Sequence, residues 1–177
     1  ARLAQAEPSA AGKPERVAVV ASAYAETGQP EQAERLMQGL QGNAASTRLL
    51  KAGVLLKGDQ DAEAGEILRA LKDQNLDDKT RRQYADLLYR YRVKQADKLR
   101  ERNDLVAAYD MLAPALEQRP HAPQAVTSLA RMYSASGNWA KARQVYQPLL
   151  EGDPDNAVLH LGFAELAVEG RAFAQAE

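Results

Sequence analysis

The sequence predicts an all-α solenoid of antiparallel helix pairs, and three observations carry that prediction. Small residues recur 34 apart, as Ala96, Ala130 and Ala164 and again as Ala108, Ala142 and Ala176, with Pro120 and Pro154 closing two of the intervals. A fixed period of this length is the mark of stacked helical hairpins, none of which buries its apolar face alone. Apolar residues inside each interval fall at helical spacing, and the alanine-rich chain has almost no β-branched runs.

Pro123 to Asn156 is the clearest interval. Counting Pro123 as position 1, Leu129, Ala130 and Tyr133 stand at positions 7, 8 and 11, Gly137 at 15, and Ala142, Tyr146 and Leu149 at 20, 24 and 27. Leu129, Tyr133, Val145, Tyr146 and Leu149 give each helix one apolar stripe. Ala130 and Ala142 are small where the helices cross, since a longer side chain would hold the backbones apart. Gly137 suits the left-handed turn that ends the first helix, and Asp153-Pro154 stops the second. This layout identifies a tetratricopeptide repeat, whose arrays are right-handed superhelical solenoids.

The other elements follow from the same template. Residues 1–13 open like the end of a preceding helix. Residues 14–44 carry Ala21, Tyr24, Gly28, Ala33, Met37 and Leu40 in template order, about three residues short. Residues 45–76 supply Ala52, Leu55, Gly58, Ala64, Leu68 and Leu71, with Gly58 one place early. Residues 77–122 hold Ala96, Leu99, Ala108, Leu112, Ala115 and Pro120, and Asn103 takes the place of the turn glycine. Here the period fails, because the step from Ala45 to Tyr89 is 44 residues. No Gly or Pro interrupts Asp77 to Arg102, so one elongated helix is expected, with Asp77 and Asp78 at its start and Lys98, Arg100 and Arg102 near its end. Such a helix is expected to bend the array or to act as its hinge. Residues 157–177 form a partial repeat in which Gly170, early like Gly58, is expected to end the first helix and a second helix to begin before Glu177.

Charge and composition exclude several functions. Lys and Arg number 23 against 24 Asp and Glu, which gives no basic field for nucleic acid. No apolar stretch reaches the ~18 residues of a membrane span, so this segment is not expected to be embedded. Cysteine is absent, which removes thiol metal sites and disulfides. His121 lies in an inter-repeat turn and His160 at an expected packing position, and no phosphate loop, nucleophile elbow or calcium loop occurs. No catalytic residue, metal or cofactor is expected, and the chain is not expected to be an enzyme. Trp139 is expected to pack the start of a second helix, and Pro114 and Pro148, at the same repeat position, to kink theirs.

The candidate contact surface is the inner face, lined by positions 2, 5, 9, 12 and 13 of the first helices. Position 5 is Ala18, Leu49, Val93, Thr127 and Leu161, so the Lys and Asn clamp of the chaperone-binding branch of this family cannot be assembled. Arg90, Asp97, Arg100, Arg131 and Glu165 form its charged centre, with Glu169 at its end. Tyr84 and Tyr91, interleaved with arginines, are the candidate ring contacts for a sugar, although at helical spacing they also suit packing.

The stretch from Gln95 onward, with ADKLR, AAYDMLAPAL, LARMYSASG and VYQPLL, resembles the periplasmic repeat region of the cellulose synthase operon protein C family. That resemblance implies a periplasmic helical array joined to an outer-membrane β-barrel, with protein subunits of a secretion complex as partners and polysaccharide as a second candidate. Two readings stay open: a periplasmic scaffold of exopolysaccharide secretion, and a general peptide- or protein-binding adaptor.

Overall fold

The structure, a computed structural model, describes residues 2–40 and 42–176, with side chains for 3–40 and 42–168. Among the described residues there are ten helices and no strand: α1 Arg2–Ala10, α2 Pro14–Glu26, α3 Pro30–Gln38, α4 Ala45–Lys57, α5 Asp61–Leu71, α6 Asp78–Glu101, α7 Leu105–Gln118, α8 Pro123–Ala135, α9 Trp139–Gly152 and α10 Ala157–Ala176. They form two compact units that meet between Tyr91 and Arg92, inside α6.

In four repeats one residue ends the first helix in the left-handed conformation, each time at position 15. Gly28, Asp59, Asn103 and Gly137 have φ of 72°, 60°, 62° and 74°. In each case the next backbone N–H returns to the carbonyl five residues back: Gln29 to Tyr24 at 2.9 Å, Gln60 to Leu55 at 2.9 Å, Asp104 to Leu99 at 3.0 Å and Asn138 to Tyr133 at 2.8 Å. That bond closes a helix end whose last carbonyls would otherwise lack donors. The expectation that Gly58 plays this part is corrected: Gly58 has φ −90°, and Asp59 beside it makes the turn. The period therefore does not slip there.

Helix crossings use alanine throughout. Ala21, Ala52, Ala96 and Ala130 at position 8 are fully buried, as are Ala64, Ala108 and Ala142 at position 20, with Ala33 at 3% exposure. Ala164 departs from this pattern and is exposed, because α10 continues through Gly170 to Ala176 instead of folding back. Position 15 of this repeat is Arg171, a poor left-handed residue, so the helix has no residue to break it. The side chains of Glu169, Gly170 and Ala176 lie outside the described residues. His160 is likewise exposed rather than packed, its Nε2 lying 2.7 Å from the Pro154 carbonyl oxygen. The helices α7 and α9 run on past Pro114 and Pro148.

The N-terminal unit has two apolar clusters. Ala10, Ala18, Ala21, Tyr24, Ala33 and Leu40 join α1, α2 and α3. Leu49, Leu55, Leu68, Leu71 and Leu87 join α4, α5 and the first half of α6. Tyr24 also donates a hydrogen bond from its hydroxyl to Glu7 Oε1 at 2.7 Å, and Arg35 Nη2 holds the two Glu7 oxygens at 3.0 and 2.8 Å. That bond to Glu7, then burial and the carboxylate charge, push the Tyr24 phenol above its ordinary 10.0. In the C-terminal unit, Ala130, Tyr146, Leu159 and Leu166 form a core against which Trp139, Val145, Leu149 and Phe163 pack.

Candidate functional site: the inner face

The N-terminal unit turns three of its inner-face positions into the core. Ala18, Leu49 and Leu56 are buried, at 6%, 5% and 7% exposure, so they offer nothing to a ligand. Glu26 and Lys57, both at position 13 of consecutive repeats, pair with each other. Tyr84 and Tyr91 are half-buried and pack against the α4–α5 cluster. The phenol end of Tyr91 lies close over Gly65: a Cβ added at Gly65 would stand 2.5 Å from its hydroxyl oxygen, so a larger residue at 65 would displace the ring. Arg90 is exposed, but neither tyrosine is presented beside it as an open ring.

The C-terminal unit ties its polar inner residues together, most of them at partly exposed positions. Ser128, buried at 1% exposure, donates from Oγ to Asp97 Oδ1 at 2.9 Å. The Arg100 guanidinium lies beside Asp97, Nε to Oδ1 at 3.8 Å, and its Nη2 is 3.5 Å from Glu101 Oε1. Arg131 Nη2 reaches Glu165 Oε2 at 3.4 Å. Arg131 and Glu165 share position 9 of consecutive repeats, as Glu26 and Lys57 share position 13. Opposite charges at one repeat position thus meet across the stack. The signal was present in the sequence as sign alternation at a fixed period, but only the stacking geometry turns it into contacts.

Electrostatically the result is a surface of paired charges. Exposed pairs of this kind contribute roughly 0–1 kcal/mol each, so they align neighbouring helices without dominating stability. Paired charges also leave no concentrated field to capture a charged ligand. Among the described residues, no group of three or more His, Asp or Glu side chains could hold a metal ion. No described helix is long and apolar enough to cross a membrane.

With the repeat geometry in view, comparison with known proteins adds a family. A tetratricopeptide repeat family model matches residues 99–155. The chain is a tetratricopeptide-repeat array. It is 52% identical over 174 residues, 96% of its length, to cellulose synthase operon protein C of Pseudomonas fluorescens (strain SBW25). The protein of that name from Xanthomonas axonopodis pv. citri (strain 306) is 37% identical over 139 residues, 77% of the chain. One from Komagataeibacter xylinus is 39% identical over 64 residues, 36% of the chain. The chain spans 14%, 9% and 5% of the length of these three relatives, respectively. The Pseudomonas similarity extends well beyond the stretch from Gln95 onward, into repeats whose own residues carry only the generic pattern. No solved structure matches the chain.

Proposed function

We propose that this chain is a non-catalytic docking and spacing stretch of a periplasmic scaffold in a bacterial cellulose-secretion machine, holding partner proteins between glucan synthesis and an outer-membrane pore. The observation that supports this most is the 52% identity over 96% of the chain to a segment of cellulose synthase operon protein C. Stacked repeats with balanced charge and mutually paired inner-face residues suit protein docking, where complementarity and register matter more than any single group. On the inner face, proteins are favoured over glucan as the occupant. Sugar rings need an open aromatic platform, and Tyr84 and Tyr91 are committed to the α4–α5 core.

The experiment is made in the full-length protein of a cellulose-secreting bacterium. Arg131→Glu places two carboxylates where the Arg131–Glu165 pair stood, at a partly exposed position that leaves the core untouched. Secreted cellulose should fall while the protein keeps its normal amount in the periplasmic fraction. Unchanged cellulose output in that strain would remove the inner face from the docking role, and a cytosolic protein would remove the periplasmic one.

A further inference from the structure

We infer that the outer cleft between α9 and α10 is a binding site for a short stretch of β-linked glucan, distinct from the inner face; the inference rests on the cellulose-secretion reading above. The cleft is open, about 380 Å³, and lined by Leu150, Pro154 and Phe163 with Arg143, Gln147 and Glu151. That size lies within the ~300–1,000 Å³ typical of small-ligand sites. A shallower continuation of about 300 Å³ runs along α9 past Gln144 and Pro148 and shares Arg143, Gln147 and Glu151.

The chemistry of the lining matches an uncharged amphiphilic ring. A β-linked glucan presents apolar C–H faces and a perimeter of hydroxyls. The three floor residues are apolar, and Phe163 supplies an aromatic ring braced by tilted contacts with Trp139 and Tyr146, each 5.7 Å away between centroids. A ring braced this way binds with little further loss of freedom. The perimeter offers a planar cation, a planar anion and an amide, so donors and acceptors surround the floor with no net charge. Gln147 Nε2 already donates to Glu151 Oε1 at 2.8 Å, which orients both side chains. One repeat earlier, Tyr109 holds the position of Arg143 and is 50% exposed, an aromatic on the outward helix that packing does not explain.

Trp139, the single tryptophan of the chain, touches the ring that floors the cleft and serves as the reporter. Cellohexaose titrated into the protein should give a saturable change in its fluorescence. Replacing Phe163 would disturb the core, so the test uses Arg143→Ala and Glu151→Ala, both exposed on α9. Each should weaken binding about tenfold, as loss of a hydrogen bond to a charged group does, and Arg131→Ala on the inner face should leave it unchanged. No saturable change at millimolar cellohexaose, or equal affinity in the rim variants, overturns the site. If cellohexaose fails while Arg131→Glu still lowers secreted cellulose, the scaffold reading stands and the glucan cleft alone falls.

Discussion

In the C-terminal unit the second helices α7 and α9 are 14 residues each, and each begins on a side chain that accepts a backbone hydrogen bond: Asp104 from the Ala107 N–H and Asn138 from the Lys141 N–H. In the N-terminal unit the corresponding helices α3 and α5 are 9 and 11 residues, and they begin on Gln29 and Gln60 with no side-chain cap. Both units keep the alanine crossings and the left-handed residue at position 15. The crossing and the turn are therefore what each described helical hairpin needs, while helix length and capping vary around them. The family model matches 99–155, wholly inside the unit where helices are long and capped.

The largest effect expected from this comparison lies at the crossings. Ala130 is fully buried and Ala164, one repeat on, is exposed. Ala130→Leu should overpack its crossing and cost about 1–3 kcal/mol, whereas Ala164→Leu should leave the thermal melt nearly unchanged. Equal melts for the two variants would mean that position 8 is not where these helices meet.

The turns come next. Gly137 has φ 74° and open space around the position of a Cβ, so Gly137→Ala tests backbone strain free of any clash. It should cost about 1–2 kcal/mol. Asp59→Gly should do the opposite and stabilise the N-terminal unit by up to about 1 kcal/mol, since Asp59 now carries the left-handed strain at φ 60°. Chemical denaturation of both variants decides it; a destabilised Asp59→Gly would show that the aspartate contributes more than its conformation costs.

Much of this was legible in the sequence because the repeat states each requirement several times. Ala96 and Ala130 mark crossings by recurrence alone, and Asn103 identifies itself as a left-handed residue by standing where Gly137 stands in the next repeat. Three things were not legible, each for a physical reason. Gly58 drew attention from Asp59 because glycine is the better left-handed residue in isolation, yet the 6→1 hydrogen bond fixes the turn at position 15. Tyr84 and Tyr91 suit packing at helical spacing, but their partners were not legible, because both lie against residues of α4 and α5 far along the chain, with the Tyr91 hydroxyl beside Gly65. The outer cleft combines residues from α9, the following turn and α10, which no spacing in one helix announces.

Capping should give a smaller effect than the turns. Asn138→Ala removes the bond accepted from the Lys141 N–H and should cost about 1 kcal/mol. Gln60→Asp would supply the uncapped α5 with the same device, and a gain of about 0.5–1 kcal/mol is expected. If adding the cap changes nothing, the short helices of the N-terminal unit are limited by packing rather than by their ends.

The smallest effect concerns pH, at the start of the helix that both units share. Thr80 donates to Asp77 from its hydroxyl at 2.7 Å and from its backbone N–H at 3.0 Å. The hydroxyl bond first, and the backbone bond second, hold the Asp77 carboxyl below its ordinary 3.8. A carboxyl lowered in the folded state binds its proton less readily there than in the unfolded chain, so its contribution is fully present above the unfolded value. It is lost as pH falls through the folded one. Asp77→Asn keeps a side chain that can cap α6 and removes the titration. The stability difference between wild type and Asp77→Asn should therefore be constant above about pH 5 and shrink progressively below pH 4. Urea denaturation of both proteins across the range, from neutral pH to well below the ordinary carboxyl value, measures it. A difference that stays constant through the acid range would mean that the bonds from Thr80 serve the neutral carboxyl as well as the charged one.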